Sequence, residues 1–454
     1  MPESGLRPYE GCSILGGQDI FTRRETSFGL LATGIASLAW PASAHDGGVA
    51  SRLAEAALPF DAAQDLGQDA KLVEALAAVI GDRDIVMLGE PSHGDGSSIR
   101  LRGRLVELLH RRFGFDVLAF EADFWSLTRG WEAISEPAQI RPFADGNLYD
   151  FWGRAPAVDG LWTYVEAVFA KGGRLDVCGF DCRLKGEMAR ENLTATLRST
   201  VGANLSDEQF KAFADGYAAL QTAEFAAPPQ KELQEGYFAS IDRMIASLKQ
   251  ENVSTDAVKQ AQAELSSLAA WAGVAWKGSS RDEAMAANLE WLVTQKFPGR
   301  KVIVWAHNNH ILKNPTVYLD IRDPGPAQQI AAMSEAQKAA LSYVGSVSSR
   351  TFPGRVCAIA TTLGRGETSA LFYKALDGSQ IDFTVTRPVP AHASDSIEAL
   401  LLEKNAEAAL LDLRDLSHAD FFRSRLIDLS YPADAPFGRG YDAAIYLRDG
   451  RGLA

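Results

Sequence analysis

Glu90 and His93 stand three residues apart, directly after the apolar run Ile85 to Leu88 and the turn residue Gly89. His307 and His310 repeat that spacing after a second apolar run, Val302 to Trp305. Glu121 closes a third run, Val117 to Phe120, and Asp181 a fourth, Leu175 to Phe180. Imidazoles and carboxylates in this pattern suit general acid–base work on water. One histidine takes a proton from water and a carboxylate holds its ring in the right tautomer. A second histidine or an arginine stabilises the oxyanion that forms at an attacked carbonyl. No covalent nucleophile is required, and none is advertised: the chain has no GxSxG elbow, P-loop, HExxH or GxGxxG. Ser92, Ser97 and Ser98 nevertheless lie close by and keep a serine nucleophile open. The rival use is metal binding, with Glu90, His93, Glu121, His307 and His310 as ligands to zinc or another divalent ion. A third reading is non-catalytic binding of haem or another ligand at the imidazoles.

The elements needed to position these groups can be read from periodicity. Short apolar runs separated by helices mark parallel strands covered on both faces. Polar residues at the carboxyl ends of such strands are where open α/β sheets hold ligands. Between Glu90 and Glu121 the spacing predicts a helix over 97–112. At 100° per residue, Leu101, Leu105, Val106, Leu108 and Leu109 form one stripe, and Arg102 falls inside it. A guanidinium on a core-facing stripe needs an anion, because an unpaired buried charge costs several kcal/mol. Glu90 and Glu121 are the candidates, with Arg102 bridging one of them to a bound substrate. The other four of the seven histidines, His45, His110, His392 and His418, are dispersed, with His110 on the solvent side of its helix.

Further along, Pro137 to Pro156 reads as an aromatic loop that could line a pocket, with Arg141, Tyr149, Phe151, Trp152 and Arg154. From Met188 to about Phe297 the period turns helical, too long for an ordinary crossover. The expected fold is α/β: a mostly parallel sheet with flanking helices, and this insertion forming a cap over the strand ends. The expected parts are a leader over 1–44, a first α/β part over 45–187, the insertion over 188–297 and a second α/β part over 298–454. In that last part, strands are expected at Val356 to Thr361, Ala409 to Leu413 and Ala443 to Leu447. Helices are expected at Glu335 to Val344 and Ser396 to Lys404, and loops at Pro388 to Pro390 and Ala433 to Gly440.

Arg23-Arg24, the apolar stretch Phe28 to Trp40 and Ala42-Ser43-Ala44 read as a twin-arginine signal peptide. It implies the translocase as an export partner, a periplasmic or secreted protein, and no stable membrane association after cleavage. The net charge of −13 argues against nucleic acid and anionic membrane surfaces. Of the four cysteines, Cys12 belongs to the leader, and Cys178, Cys182 and Cys357 lie in or beside apolar runs, as buried thiols do.

The motifs resemble the erythromycin esterase family: Gly89-Glu90-x-x-His93-Gly94, Arg102, Phe120-Glu121-Ala122, Gly179-Phe180-Asp181, Arg281-Asp282-x-x-Met285-Ala286-x-Asn288 and Trp305-Ala306-His307-Asn308-x-His310-Ile311. The resemblance spans about 85 to 315 by motif. It implies an α/β fold with a helical insertion and a deep cleft. It also implies hydrolysis of a carboxylic ester or lactone, in the named members the lactone of macrolide antibiotics; no cofactor is expected, with a divalent metal kept as the alternative. His93 matches the family's water-activating base. Glu90, Arg102, Glu121, His307 and His310 match its other active-site positions.

Overall fold

The computed structural model describes residues 47–203, 205–223, 227–250, 255–371 and 382–454. The leader read over 1–44 and Cys12 lie outside the described residues. Among the described residues, no helix is long and apolar enough to cross a membrane.

A nine-stranded sheet runs through the molecule. Its strands are β1 (Leu58–Phe60), β2 (Ile85–Glu90), β3 (Phe115–Asp123), β4 (Asp176–Asp181), β5 (Lys301–His307), β6 (Val356–Ser369), β7 (Thr386–Pro388), β8 (Ala408–Asp412) and β11 (Ala443–Gly450). A separate two-stranded hairpin pairs β9 (Phe422–Asp428) with β10 (Tyr431–Ala435). The spatial order is β1-β8-β11-β6-β2-β5-β3-β4, with β7 on β6. From β11 through β4 every pairing is parallel; β8, β1 and β7 join antiparallel. The expected mostly parallel sheet is therefore present.

Alternation along the strands divides the core in two. Ile85, Met87, Val117, Ala119, Val302 and Val304 face one side. Val86, Leu88, Leu118, Phe120, Ile303 and Trp305 face the other. The second face packs on the helices Ala70–Ile80, Gly96–Phe113 and Asp159–Ala170 through Leu72, Leu105 and Leu161. The first packs on the helices Phe124–Glu132, Arg281–Trp291, Val344–Thr351 and Ile397–Glu403, and the helices of the insertion, Asp207–Gln221, Lys231–Gln250 and Asp256–Lys277, extend that cluster through Phe213, Tyr237 and Leu268. Full burial of each such side chain contributes roughly 1.5–3 kcal/mol. Both faces are dry, which explains why the strands read as continuous apolar runs rather than alternating ones.

Helix Gly96–Phe113 begins where Asp95 accepts from the backbone N–H groups of Ser97 and Ser98, and stops at Gly114, whose φ of 72° is left-handed. Arg102 is buried in its apolar stripe, as the periodicity requires. His110 corrects the sequence reading. It is half-buried, with Nδ1 2.7 Å from the Tyr164 hydroxyl and Nε2 2.9 Å from the Arg174 carbonyl, because helix Asp159–Ala170 packs on that side.

Four other local expectations differ. Pro137 to Pro156 is not a loop: it holds the helix Ile140–Asn147 and the short helix Asp150–Gly153. Pro142 lies in the first turn, where its missing N–H costs nothing. The helix from Glu335 ends at Ala339, and Val344 opens a new one to Thr351. Ala433 to Gly440 starts inside β10, and Pro388 ends β7 rather than lying in a loop. Cys178, Cys182 and Cys357 are buried free thiols.

Gly89 shows how tightly β2 meets its neighbours. A Cβ there would lie 2.1 Å from Asn308 Oδ1 and 2.8 Å from Ile311 Cδ1. Asn308 is itself pinned, accepting from Thr361 N and donating to Thr361 O. Gly89→Ala should therefore cost about 1–3 kcal/mol by overpacking. A thermal melt that matches the wild type would contradict this packing.

Candidate active site

The sheet order β2-β5-β3-β4 brings four strand ends side by side. In the register, Glu90 faces His307, and Phe120 faces both Trp305 and Gly179. Glu90, Glu121, Asp181, His307 and His310 are thus gathered at one rim, with His93 in the turn after β2. All are buried: His93 is 6% exposed and the others 2% or less.

Glu90 organises the first half. Its Oε1 lies 2.6 Å from His93 Nδ1. Its Oε2 pairs with Arg102 Nη2. Arg102 Nη1 also approaches the carbonyls of Leu88 and Ala306 at 3.4 and 3.3 Å, and its guanidinium lies 3.9 Å from the Trp305 ring. Arg102 is therefore a floor beneath β2 and β5, with a side chain only 1% exposed. Of the two candidate carboxylates it pairs with Glu90. With a carboxylate at Nδ1, His93 keeps its proton there and its lone pair on Nε2. Phe151 stacks on the His93 ring at 4.7 Å and 8°, and Trp152 meets it edge-on at 5.3 Å. Burial lowers the His93 pKa to about 3; the Glu121 charge opposes the shift, and His307, His310 and Arg281 add to it.

Arg281 organises the second half. It opens helix Arg281–Trp291 and clamps Asp181 with Nε and Nη2 at 3.2 and 2.6 Å. The same Nη2 donates to Glu121 Oε1 at 2.9 Å. Glu121 Oε1 also lies 3.3 Å from His310 Nε2, while Oε2 accepts from the His307 backbone N–H. Asp282 Oδ1 lies 2.8 Å from His310 Nδ1 and accepts from Val344 N, which ties the site to the helix Val344–Thr351. Burial alone would raise the Glu121 carboxyl, but His310 and Arg281 outweigh it and hold it well below the usual range. Burial likewise opposes ionisation of Asp181, and Arg281 and Arg183 bring it down to about 2.

His307 stands between the halves, its ring 5.3 Å from His93 and 6.4 Å from His310. Its Nδ1 accepts from Asn309 N at 3.2 Å, so the proton of the neutral ring sits on Nε2. Asp428 Oδ2 lies 3.7 Å from that nitrogen.

Residues 110–449 match the family model described as erythromycin esterase. The chain belongs to the erythromycin esterase family. The matched segment holds Glu121, His307 and His310; Glu90, His93 and Arg102 lie just before it. The fold is similar to that of an erythromycin esterase, EreC, solved in an open conformation, at 16% identity and TM-score 0.65, over 87% of this chain and 98% of that one. It is also similar to a succinoglycan biosynthesis protein, at 18% identity and TM-score 0.64, over 89% and 97%. A putative hydrolase of Bacillus subtilis, YbfO, is 23% identical over 57% of this chain; the match spans 63% of that relative, under two thirds of its length.

Sequence reasoning places the six candidate residues at one rim and misses several partners. Arg281 and Asp282 belong to the motif, yet the sequence shows neither as a partner of Glu121 or His310. Phe151 and Trp152 were legible only as pocket-lining aromatics. Asp428 had no signal, since β9 reads FRSRLID without an apolar period. As for the metal reading, no group of three His, Cys, Asp or Glu among the described residues is arranged to hold an ion. Guanidinium groups occupy Glu90, Glu121 and Asp181 instead.

Proposed function

We infer that this member of the erythromycin esterase family is a hydrolase of carboxylic esters or lactones, acting through water that His93 activates. The carrying observation is the 2.6 Å contact from Glu90 Oε1 to His93 Nδ1. It directs the basic lone pair to Nε2 and leaves the ring able to take one proton from water. Arg102 completes the triad by pairing with Glu90 Oε2 and holding it in place. The water oxygen attacks the carbonyl carbon, and the oxyanion needs a fixed positive partner. Arg281 suits that role better than Arg102, since its side chain is 11% exposed against 1%. A macrolide lactone is one candidate substrate, suggested by the family name. The insertion is proposed to border the substrate cleft, because its Gln221 and Lys185 after β4 interlock through Lys185 Nζ to Gln221 O at 2.7 Å.

A hydrolysis screen over macrolides, simple lactones and 4-nitrophenyl esters tests this. Folded protein that turns over none of them would end the proposal. The pH profile adds a second check. A histidine with its pKa lowered to about 3 stays neutral at pH 5, where a free one is mostly protonated. Turnover should therefore persist near pH 5, about where free histidine has lost its base form. An acid limb near the ordinary histidine value would contradict a neutral, desolvated His93.

A further inference from the structure

We propose that Phe151 is a positioning residue whose ring face holds His93 and stabilises the imidazolium it becomes as water attacks. The inference rests on the hydrolase reading and deepens it, by assigning what offsets a buried cation that the reaction itself creates.

Three observations carry it. Phe151 lies flat on the His93 imidazole, with ring centroids 4.7 Å apart and 8° between the planes. A face-on neighbour covers the π face and neither ring nitrogen, so Nδ1 keeps Glu90 Oε1 at 2.6 Å and Nε2 keeps its lone pair. Tyr149 stacks on Phe151 in turn, at 5.4 Å and 13°. The stack is also anchored on both sides of Phe151 in the chain. The Tyr149 hydroxyl donates to Asp181 Oδ2 at 3.2 Å. Trp152 is fully buried, meets Phe151 edge-on at 4.9 Å, and its carbonyl accepts from Trp162 Nε1 at 2.9 Å. The short helix Asp150–Gly153 is pressed on helix Ile140–Asn147: a Cβ at Gly153 would lie 2.6 Å from Ala144 O. Phe151 is thus fixed over the imidazole by its sequence neighbours, a built contact rather than a loose side chain.

The reaction puts a charge on that ring. Nε2 takes one proton from water as the water oxygen bonds to the carbonyl carbon, and Nδ1 keeps its own. The same Nε2 proton passes to the leaving oxygen as the C–O bond breaks and its electron pair departs with that oxygen. The acid product releases its own proton to solvent. In between, His93 is an imidazolium in a buried site. The titratable and charged groups around it are Glu90 on β2, Glu121 on β3, His307 and His310 at and after the end of β5, and Arg281 on its helix. Burial is the largest penalty on the cation; His307, His310 and Arg281 add to it, and Glu121 opposes it. An aromatic face attracts a cation through its quadrupole, more strongly where water is excluded. It is weaker than a second carboxylate, so it stabilises the imidazolium without keeping the resting ring protonated.

Site-specific incorporation of mono-, di- and trifluorinated phenylalanine at position 151 is the test. Fluorine drains electron density from the ring face and leaves its shape nearly unchanged. On a lactone or ester that the protein hydrolyses, kcat should fall stepwise with each fluorine. For the trifluorinated ring the loss should reach on the order of 10-fold, about what a desolvated cation–π contact contributes. KM should stay within about two-fold, since the weakened interaction exists only once the proton has moved. Thermal melts should match the wild type. Phe151→Leu, which removes the aromatic face altogether, should lose at least as much kcat as the trifluorinated ring. A packing role predicts a flat fluorine series with loss only in Phe151→Leu, and that outcome overturns the inference. So does a fall that follows the melting temperature, or one carried by KM alone. His93→Ala that is inactive beside a flat fluorine series overturns this inference alone. His93→Ala as active as wild type removes the hydrolase reading and the inference together.

Discussion

His93→Ala should lower kcat on any hydrolysed ester by roughly 10²- to 10⁴-fold, the range a positioned general base supplies. KM should barely move, because the ring reaches water rather than binding substrate. The fold should survive. Glu90 loses its Nδ1 partner at 2.6 Å but keeps the ion pair with Arg102, so no unpaired buried charge is created. Phe151 and Trp152 lose one ring neighbour, a cavity in a site that is already at the rim. A thermal melt close to wild type, with turnover lost and partly restored by added imidazole, is the expected pattern. Full turnover in a folded His93→Ala protein would refute the base assignment.

Arg281→Met should be the most damaging single change to stability. It strips the shared cation from Glu121 and Asp181, 2% and 0% exposed, and leaves Glu121 beside His310 and Asp181 with Arg183. Breaking a buried pair from one side costs about 3–5 kcal/mol. The pH dependence carries a definite sign. In the wild type the Asp181 pKa is lowered from 3.8 to about 2, and Glu121 is lowered well below 4.5. Stability from a lowered carboxylate is present above the unfolded value and disappears as pH falls through the folded one. The gap between wild type and Arg281→Met should therefore be widest at neutral pH and narrow below about pH 4. Denaturant melts at pH 7 and pH 3.5 measure it. A constant gap would mean that Arg281 contributes packing and not charge. Arg281→Lys should fall between, since an ammonium cannot reproduce the bidentate grip on Asp181.

Much of this site was legible in the sequence because its logic is local. Apolar runs that end on Glu90, Glu121, Asp181 and His307 specify strands and place polar groups at their carboxyl ends. A turn of 100° per residue suffices to bury Arg102, and a buried guanidinium demands a carboxylate nearby. The three-residue step from Glu90 to His93 puts an acid beside a base with no help from the rest of the chain.

The pairings between distant segments were settled by tertiary structure. Helical and strand periods say which face a residue occupies, never which remote residue meets it. Arg102 could equally have answered to Glu121; the order β2-β5-β3-β4 puts β5 between the two carboxylates and leaves Arg102 on Glu90. Glu121 is instead served by Arg281, 160 residues later in the chain, which only the packing of helix Arg281–Trp291 beside β4 delivers. Asp428 reaches His307 because a hairpin outside the main sheet is fastened to Pro91 by one backbone hydrogen bond. The groups capable of the chemistry were written in the chain; which carboxylate holds which cation or imidazole is a property of the folded sheet.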